Sequence, residues 1–185
     1  MRRRRARLAS AAVALLGAVA VWLVATRVFP HHSLNHDEGV YLQQAAMLLD
    51  GRLFLHPPLE DVFRPWFFVD AGDRLYSKYA PVPAAIFALG GAVGAWRLAL
   101  VAVAAAALWL VAAVARELAR PPAGVLAAAF VLASPLFLVQ ASVFLPYVPT
   151  MLLNLVFAYG YLRADRTGSV RWAAVAGAGI GLAFV

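Results

Sequence analysis

Two adjacent carboxylates, Asp37 and Glu38, are the first residues in this sequence whose types suggest chemistry. They follow the first apolar run at a short distance and open a predicted interfacial helix. A carboxylate in a cleft facing the membrane can act as a general base and accept a proton from a hydroxyl or an amine. Carboxylates also stabilise helix N-termini without any catalytic role. The pattern by itself leaves both interpretations open.

Three histidines, His31, His32 and His36, lie beside these carboxylates and have the right chemistry to bind a divalent metal. Zinc and other transition-metal sites use recurrent ligand spacings, and this segment matches none of them. We therefore interpret the histidines as exposed interfacial residues and assign no metal ligands. No cofactor follows from the pattern, and a divalent metal is the one alternative left open.

Lys78 is the only lysine and stands between Tyr76 and Tyr79, just before a segment rich in proline. A lysine close above a bilayer can extend its ammonium group to the interface as an anchor. It can also bind the phosphate of a membrane lipid. The residues alone do not choose between these two roles.

The composition indicates that the elements positioning these residues belong to a membrane protein. Hydrophobic residues make up 64% of the 185 residues and charged residues 14%, against roughly 45–50% and about 25% in soluble domains. Such an excess of apolar residues needs lipid as part of its solvent. The absence of cysteine excludes disulfides, thiolate metal ligands and a cysteine nucleophile. No sequence signature of a nucleotide-binding P-loop, an esterase elbow or a zinc protease is present.

The charges are segregated along the chain, although the net charge is +7. Five arginines lie at the extreme N-terminus, whereas seven of the nine acidic residues and all four histidines lie between Pro30 and Ala80. This distribution is typical of membrane topology rather than of a nucleic-acid footprint. We therefore expect membrane lipid, and no nucleic acid, among the partners.

Five apolar segments are predicted to cross the membrane. They are Leu8–Ala25, Leu98–Ala115, Ala123–Val139, Val148–Leu162 and the stretch from Trp172 to the end of the sequence. The first segment also resembles a signal peptide, but its apolar residues continue past the cleavage-like Ala18–Ala20, which favours a retained helix. Because the sequence stops inside an apolar run, we expect it to be the N-terminal fragment of a longer protein.

The apolar segment Val82–Trp96 is short, since its 15 residues extend only about 22 Å as a helix. If it stays on one side as a juxtamembrane or re-entrant helix, the arginines between the later helices share the cytoplasmic side with the N-terminal arginines, as the positive-inside rule requires. The N-terminus is then cytoplasmic and the protein a multi-pass protein of the plasma membrane. The loop Pro30–Ala80 and the turn Gln140–Pro149 both lie outside, and we expect any active site where they meet.

The predicted fold is thus an all-α polytopic membrane protein with about five transmembrane helices and a large first extracytoplasmic loop. Residues 1–29 supply the first transmembrane helix, residues 30–97 the loop with juxtamembrane helices, and residues 98–185 the further helices.

Two elements are predicted inside the loop. A helix begins after the N-cap Asn35, with Glu38 as capping-box partner, and runs to about Asp50 before Gly51. A short β-hairpin is predicted from Trp66–Val69 and Arg74–Tyr76, which flank the turn residues Asp70–Asp73.

The order of these motifs resembles the GT-C membrane glycosyltransferases, including the protein mannosyltransferase and lipid A aminoarabinose transferase group. The first motif is Asp37–Tyr41, which follows the first helix. The second is Ser77–Pro83, which is similar to a lysine-tyrosine-proline-proline-glycine stretch of the family. The resemblance continues in Ser134–Phe137 and in Leu152–Tyr161 with Arg163. It covers nearly the whole chain. The sequence differs from the family in two places. Phe144–Tyr147 lies where related sequences often carry a histidine or an acidic residue, and the stretch Ala80–Pro83 lacks the usual glycine.

The resemblance implies an inverting transfer of a sugar from a polyprenyl-phosphate donor to an unknown acceptor on the outer face. Asp37 would be the base, with Glu38 as its neighbour or a metal partner. Lys78 and Arg74 would bind the donor phosphate, and Tyr79 would belong to the same substrate-binding set.

The alternative is a non-catalytic polytopic protein, either a transporter or a subunit for cell-envelope assembly. Such a protein is expected to carry charged residues within its spans. The predicted spans from Leu98 onward contain none.

Overall fold

The computed structural model describes residues 2–56, 65 and 67–184. Within these residues the fold is mainly helical, with eight α-helices and one short antiparallel hairpin. The helices are α1 (Arg2–Arg27), α2 (His36–Leu49), α3 (Pro81–Ala92), α4 (Trp96–Leu118), α5 (Pro121–Leu132), α6 (Pro135–Ala141), α7 (Tyr147–Thr167) and α8 (Val170–Phe184). The strands are β1 (Phe68–Asp70) and β2 (Leu75–Ser77).

Two helices in the described part of the chain, α1 and α4, are long and apolar enough to cross a membrane. The pair α5 and α6 meets the same test together but is bent by 73°, so the total is up to three. The predicted span Ala123–Val139 is therefore a sharply bent pair of helices rather than one straight helix. Pro135 disfavours helical geometry at Ser134, and the Ser134 side chain accepts from the Phe137 amide as the N-cap of a new helix.

The remaining predicted spans are helical, since they coincide with α7 and α8. Both helices lie close together because glycines let their backbones approach. A Cβ on Gly160 would lie 2.9 Å from the Ala176 amide nitrogen, and one on Gly179 would lie 2.8 Å from that of Phe157. Such small-residue contacts are common between membrane helices. Five membrane crossings stay a prediction.

The centre of the fold is the contact between α1 and α4, which run antiparallel. Arg97 at the start of α4 donates to the Ala25 carbonyl near the end of α1 at 3.1 Å. At the other end, Arg116 of α4 donates to Ser10 of α1 at 2.8 Å. The buried residues along this contact are mostly alanine and valine. The bundle therefore has two distinct ends, called here the Arg97 end and the Arg116 end.

Helix α2 begins and ends as the sequence predicts. The Asn35 side chain accepts from the Asp37 amide at 3.0 Å as the N-cap, and Gly51 follows the C-terminus with a left-handed φ of +69°. The capping-box assignment of Glu38 is wrong, however. Its carboxylate accepts hydrogen bonds from the amides of Ser33 and Phe144 rather than from that of Asn35. The fold brings the Phe144 amide close enough for this tertiary contact.

The hairpin is present, one or two residues later than predicted. Phe68 pairs with Ser77 and Asp70 with Leu75, and Gly72 in the turn has a φ of +91°. Trp66, included in the predicted strand, lies outside the described residues. The twelve residues of α3 are separated from α4 by a break in which Gly94 has a φ of +69°. A helix of that length extends only about 18 Å.

Candidate functional site

The site lies at the Arg97 end of the bundle, where three segments separated along the chain converge. The N-terminal turn of α2 supplies Asp37 and Glu38, the segment between β2 and α3 supplies Tyr79, and the turn before α7 supplies Phe144. Arg97 connects this end to α1 by donating to the Phe29 carbonyl at 3.3 Å as well as to that of Ala25. The long loop and the short turn therefore meet above the end of α1.

Asp37 and Tyr79 form the central pair of the site. The Tyr79 hydroxyl donates to Asp37 Oδ1 at 2.7 Å, across 42 positions of sequence. Burial and this hydrogen bond raise the pKa of the Tyr79 hydroxyl well above its ordinary value, since both favour the neutral phenol. Tyr79 is therefore a stable donor, and no donor among the described residues reaches Asp37 Oδ2. Within the described part of the chain, one carboxylate oxygen is held by Tyr79 and the other accepts no hydrogen bond.

Tyr41 forms the wall behind this pair. Its ring stacks on that of Tyr79, with centroids 5.0 Å apart and planes at 16°. Burial, followed by the negative charge of Asp37 and by Tyr147, raises the pKa of Tyr41 to about 12. The stacking continues inward, since Tyr41 contacts Phe87 edge-on at 6.4 Å and Phe87 contacts Phe144 at 5.4 Å. This aromatic row fixes the position of the Tyr79 ring.

Glu38 has a different role from its neighbour. It is only 1% exposed, and both carboxylate oxygens accept backbone hydrogen bonds, from Ser33 at 2.5 Å and from Phe144 at 3.0 Å. A buried carboxylate with both oxygens occupied in this way is a structural link. Glu38 ties the start of the loop to the turn before α7, and it leaves Asp37 as the accessible carboxylate of the two.

Lys78 lies beside the ring of Tyr79, the donor of the pair. Its ammonium nitrogen is 3.7 Å from the Phe67 ring centroid and 5.1 Å from that of Tyr79, at distances typical of cation–π contacts. Phe67 has a left-handed φ of 59°, unusual for a bulky residue, and its carbonyl accepts from the Lys78 amide. The strained residue and the cation are thus fixed next to each other at the edge of the site.

Arg74 is not brought to this group. Its guanidinium lies 4.6 Å from the Phe54 ring centroid and 3.7 Å from the Asp73 carboxylate, both at the hairpin. The structure therefore joins Asp37, Tyr79 and Lys78 of the predicted site residues, links Glu38 to the scaffold and leaves Arg74 at the loop surface.

The described residues include no group of three or more histidine, cysteine or acidic side chains placed to hold a metal ion. The Nδ1 atoms of His32 and His56 instead contact the backbone carbonyls of Ser33 and Asp73 at 2.7 and 2.9 Å. The divalent metal left open by the sequence has no ligand set in this part of the chain.

Tyr41 and Gln44 were missed as site residues by reasoning from sequence. Gln44 donates to the Tyr79 carbonyl at 3.2 Å, while its buried Oε1 has no hydrogen-bond partner among the described residues. The signal was available, because Asp37, Tyr41 and Gln44 are spaced i, i+4, i+7 and so share one helix face.

Comparison of the chain with protein-family models, with curated proteins and with solved structures gives no match. The functional argument depends on the residues described above.

Proposed function

We propose that the protein is a multi-pass membrane glycosyltransferase that transfers a sugar from a polyprenyl-phosphate donor to an acceptor at the extracytoplasmic face. The observation that carries the proposal is the Asp37–Tyr79 hydrogen bond of 2.7 Å, with Lys78 beside it at the end of an apolar bundle. A lipid-linked donor and a polar acceptor meet only at the membrane surface. A carboxylate and a cation at that level fit such a reaction.

The proposed orientation in the membrane is supported by the charges at the two ends of the bundle. Because α1 and α4 are antiparallel, Arg116 lies near the start of α1. Glu117 forms ion pairs with Arg163 and Arg166 at the same end. The arginine-rich N-terminus is there too. The positive-inside rule then assigns the Arg116 end to the cytoplasm and the Arg97 end to the outside. The five-span arrangement of the plasma membrane remains part of the proposal.

In the proposed reaction, Asp37 accepts the proton of an acceptor hydroxyl or amine as that group attacks the anomeric carbon of the sugar. The bond from this carbon to the phosphate oxygen breaks, and its electron pair leaves with polyprenyl phosphate. A single displacement from the opposite face inverts the anomeric configuration.

Three side chains support this step. Lys78 is close enough to the pair to neutralise charge that develops on the departing phosphate. Tyr79 holds one oxygen of Asp37, so that the other faces the acceptor. Tyr41 keeps Tyr79 in place by stacking.

The test is Asp37→Asn, which preserves shape and removes the proton acceptor. Transfer from polyprenyl-phosphate mannose and from polyprenyl-phosphate aminoarabinose is measured in membranes containing the full-length protein. We expect the chemical step to slow by about 10²–10⁴-fold. Asp73→Asn is the matched control, because Asp73 is an exposed acid of the same loop, and it should keep full activity.

The result also separates the alternatives. An active wild type with an equally active Asp37→Asn variant would show that the base lies elsewhere. A folded wild type that transfers neither sugar to any acceptor in the membranes would instead favour the non-catalytic transporter or assembly subunit.

A further inference from the structure

A second charged region, called here the arginine cleft, lies at the Arg116 end of the bundle. It has a volume of about 540 Å³, and its charged lining consists of Arg7, Arg116, Glu117, Arg163 and Arg166. These residues come from α1, α4 and α7, so the cleft exists only in the folded chain. Its size is within the range of pockets that hold small molecules, about 300–1,000 Å³.

The cleft has a surplus of positive charge. Four arginines face a single carboxylate, which leaves a formal net charge of +3. Glu117 is already engaged by Arg166 at 2.6 Å and by Arg163 at 3.5 Å. No acidic side chain in the described ranges pairs with Arg7 or Arg116, and the buried Nε of Arg163 has no hydrogen-bond partner there. Buried donors without acceptors are rare and costly, so the cleft is incomplete without an anion.

Arg116 and Arg163 are held in place. Arg116 donates to Ser10 at 2.8 Å, and the fully buried Ser10 hydroxyl donates in turn to the Ala6 carbonyl at 2.9 Å. The Arg116 guanidinium also lies 5.4 Å from the Trp109 ring centroid. The Arg163 guanidinium lies 5.7 Å from the Trp172 ring centroid. Fixed guanidinium groups lose little entropy when they bind an anion, which distinguishes this cleft from mobile surface charges.

We propose that the arginine cleft binds a phosphate group, supplied by the headgroup of an anionic phospholipid. Guanidinium groups match phosphate oxygens in two-point hydrogen bonds. The cleft lies at the end of apolar helices, at the level where lipid headgroups would lie if these helices cross the bilayer. Soluble phosphate offers the same chemistry from another source. This site is separate from Asp37 and does not depend on glycosyl transfer.

The test uses the protein purified in detergent and titrated with phosphatidylglycerol or with phosphatidylcholine of the same acyl chains, with retained lipid counted by native mass spectrometry. We expect phosphatidylglycerol to bind more tightly. Arg7→Gln and Arg163→Gln should each weaken that binding by about fivefold, because each basic side chain near the headgroups contributes about that factor. Arg52→Gln is the control, since Arg52 is an exposed arginine paired with Asp50 outside the cleft.

Glu117→Gln distinguishes a binding site from a structural cluster. Removal of the one competing carboxylate should strengthen phosphatidylglycerol binding by a similar factor of about five. A purely structural cluster would bind no better after this change. Thermal unfolding of each variant checks that it is folded, and Arg7→Gln removes no hydrogen bond of the described structure.

The source of the phosphate is settled by competition with inorganic phosphate. Failure of phosphate to displace phosphatidylglycerol supports the lipid headgroup. Displacement confirms a phosphate site and overturns the assignment to lipid. Equal binding of the two lipids, or wild-type affinity in both Arg7→Gln and Arg163→Gln, would overturn the proposal altogether.

Discussion

The two ends of the helical bundle use ionisable residues in opposite ways. At the Arg97 end, the carboxylates of Asp37 and Glu38 are fixed by hydrogen bonds from neutral groups, a phenol and two backbone amides. At the Arg116 end, Glu117 is outnumbered by arginines and is held by ion pairs. Neutral donors hold a carboxylate in position without bringing a second charge to it, whereas an excess of arginine creates a place for a foreign anion. The first arrangement suits proton transfer and the second suits binding.

The largest expected difference between the ends is their accessibility in intact cells. Because residues 1–185 contain no cysteine, single substitutions Asp70→Cys and Asp165→Cys in this chain report each side without background. We expect an impermeant thiol reagent to label position 70 fully and position 165 only after the membrane is opened, since the arginine-rich end should be cytoplasmic. The reverse pattern would place the Asp37 site inside the cell and reverse the comparison.

The same substitution at the two ends should differ in its effect on stability. Glu38→Gln retains only one acceptor oxygen for two backbone donors and places an amide group in a buried site, so we expect unfolding to become easier by about 2–4 kcal/mol. Glu117→Gln removes ion pairs to half-exposed arginines and should change the free energy of unfolding by less than about 1 kcal/mol.

Thermal and denaturant unfolding in the same detergent give both values. Equal losses for the two variants would show that the Glu38 contacts with Ser33 and Phe144 do not hold the loop in place. That result would also remove the reason for preferring Asp37 over Glu38 as the accessible carboxylate.

A loss of stability somewhat smaller than that of Glu38→Gln is expected when the Tyr79 hydroxyl is removed, and this loss depends on pH. Tyr79→Phe removes the donor to Asp37 and should lower stability by about 1.5–3 kcal/mol near neutral pH. The folded-state pKa of Tyr79 is raised, so its contribution is fully present below the unfolded pKa of about 10 and is lost as the pH rises towards the folded value. The difference between wild type and Tyr79→Phe should therefore be constant up to about pH 10 and then shrink.

Unfolding measured across this pH range, with Tyr76→Phe as the control for an exposed tyrosine of the same loop, checks the prediction. A difference that grows above pH 10 would mean that ionised Tyr79 is the favoured form, contrary to the hydrogen bond described here.

Several features of this protein were determined by local sequence. The caps of α2 are set by Asn35 and Gly51, because a side-chain acceptor and a left-handed glycine act on adjacent backbone. The hairpin follows from Gly72 and the acids around it in the same way. The lipid-compatible composition and the segregation of charge are properties of the chain itself, and Asp37 and Lys78 could be singled out by type and position.

Only the tertiary structure decided which residues act together. The partner of Asp37 is Tyr79, 42 positions away, and the partner of Glu38 is the Phe144 amide, 106 positions away. Neither distance is encoded in a local pattern, and a short-range capping box was the reasonable but wrong expectation for Glu38. Local sequence also did not indicate that Arg74 contacts Phe54 and Asp73. Helix capping depends on residues that are neighbours along the chain. A site depends on which helices pack together, and in this protein the packing of α1 against α4 decides which loops meet.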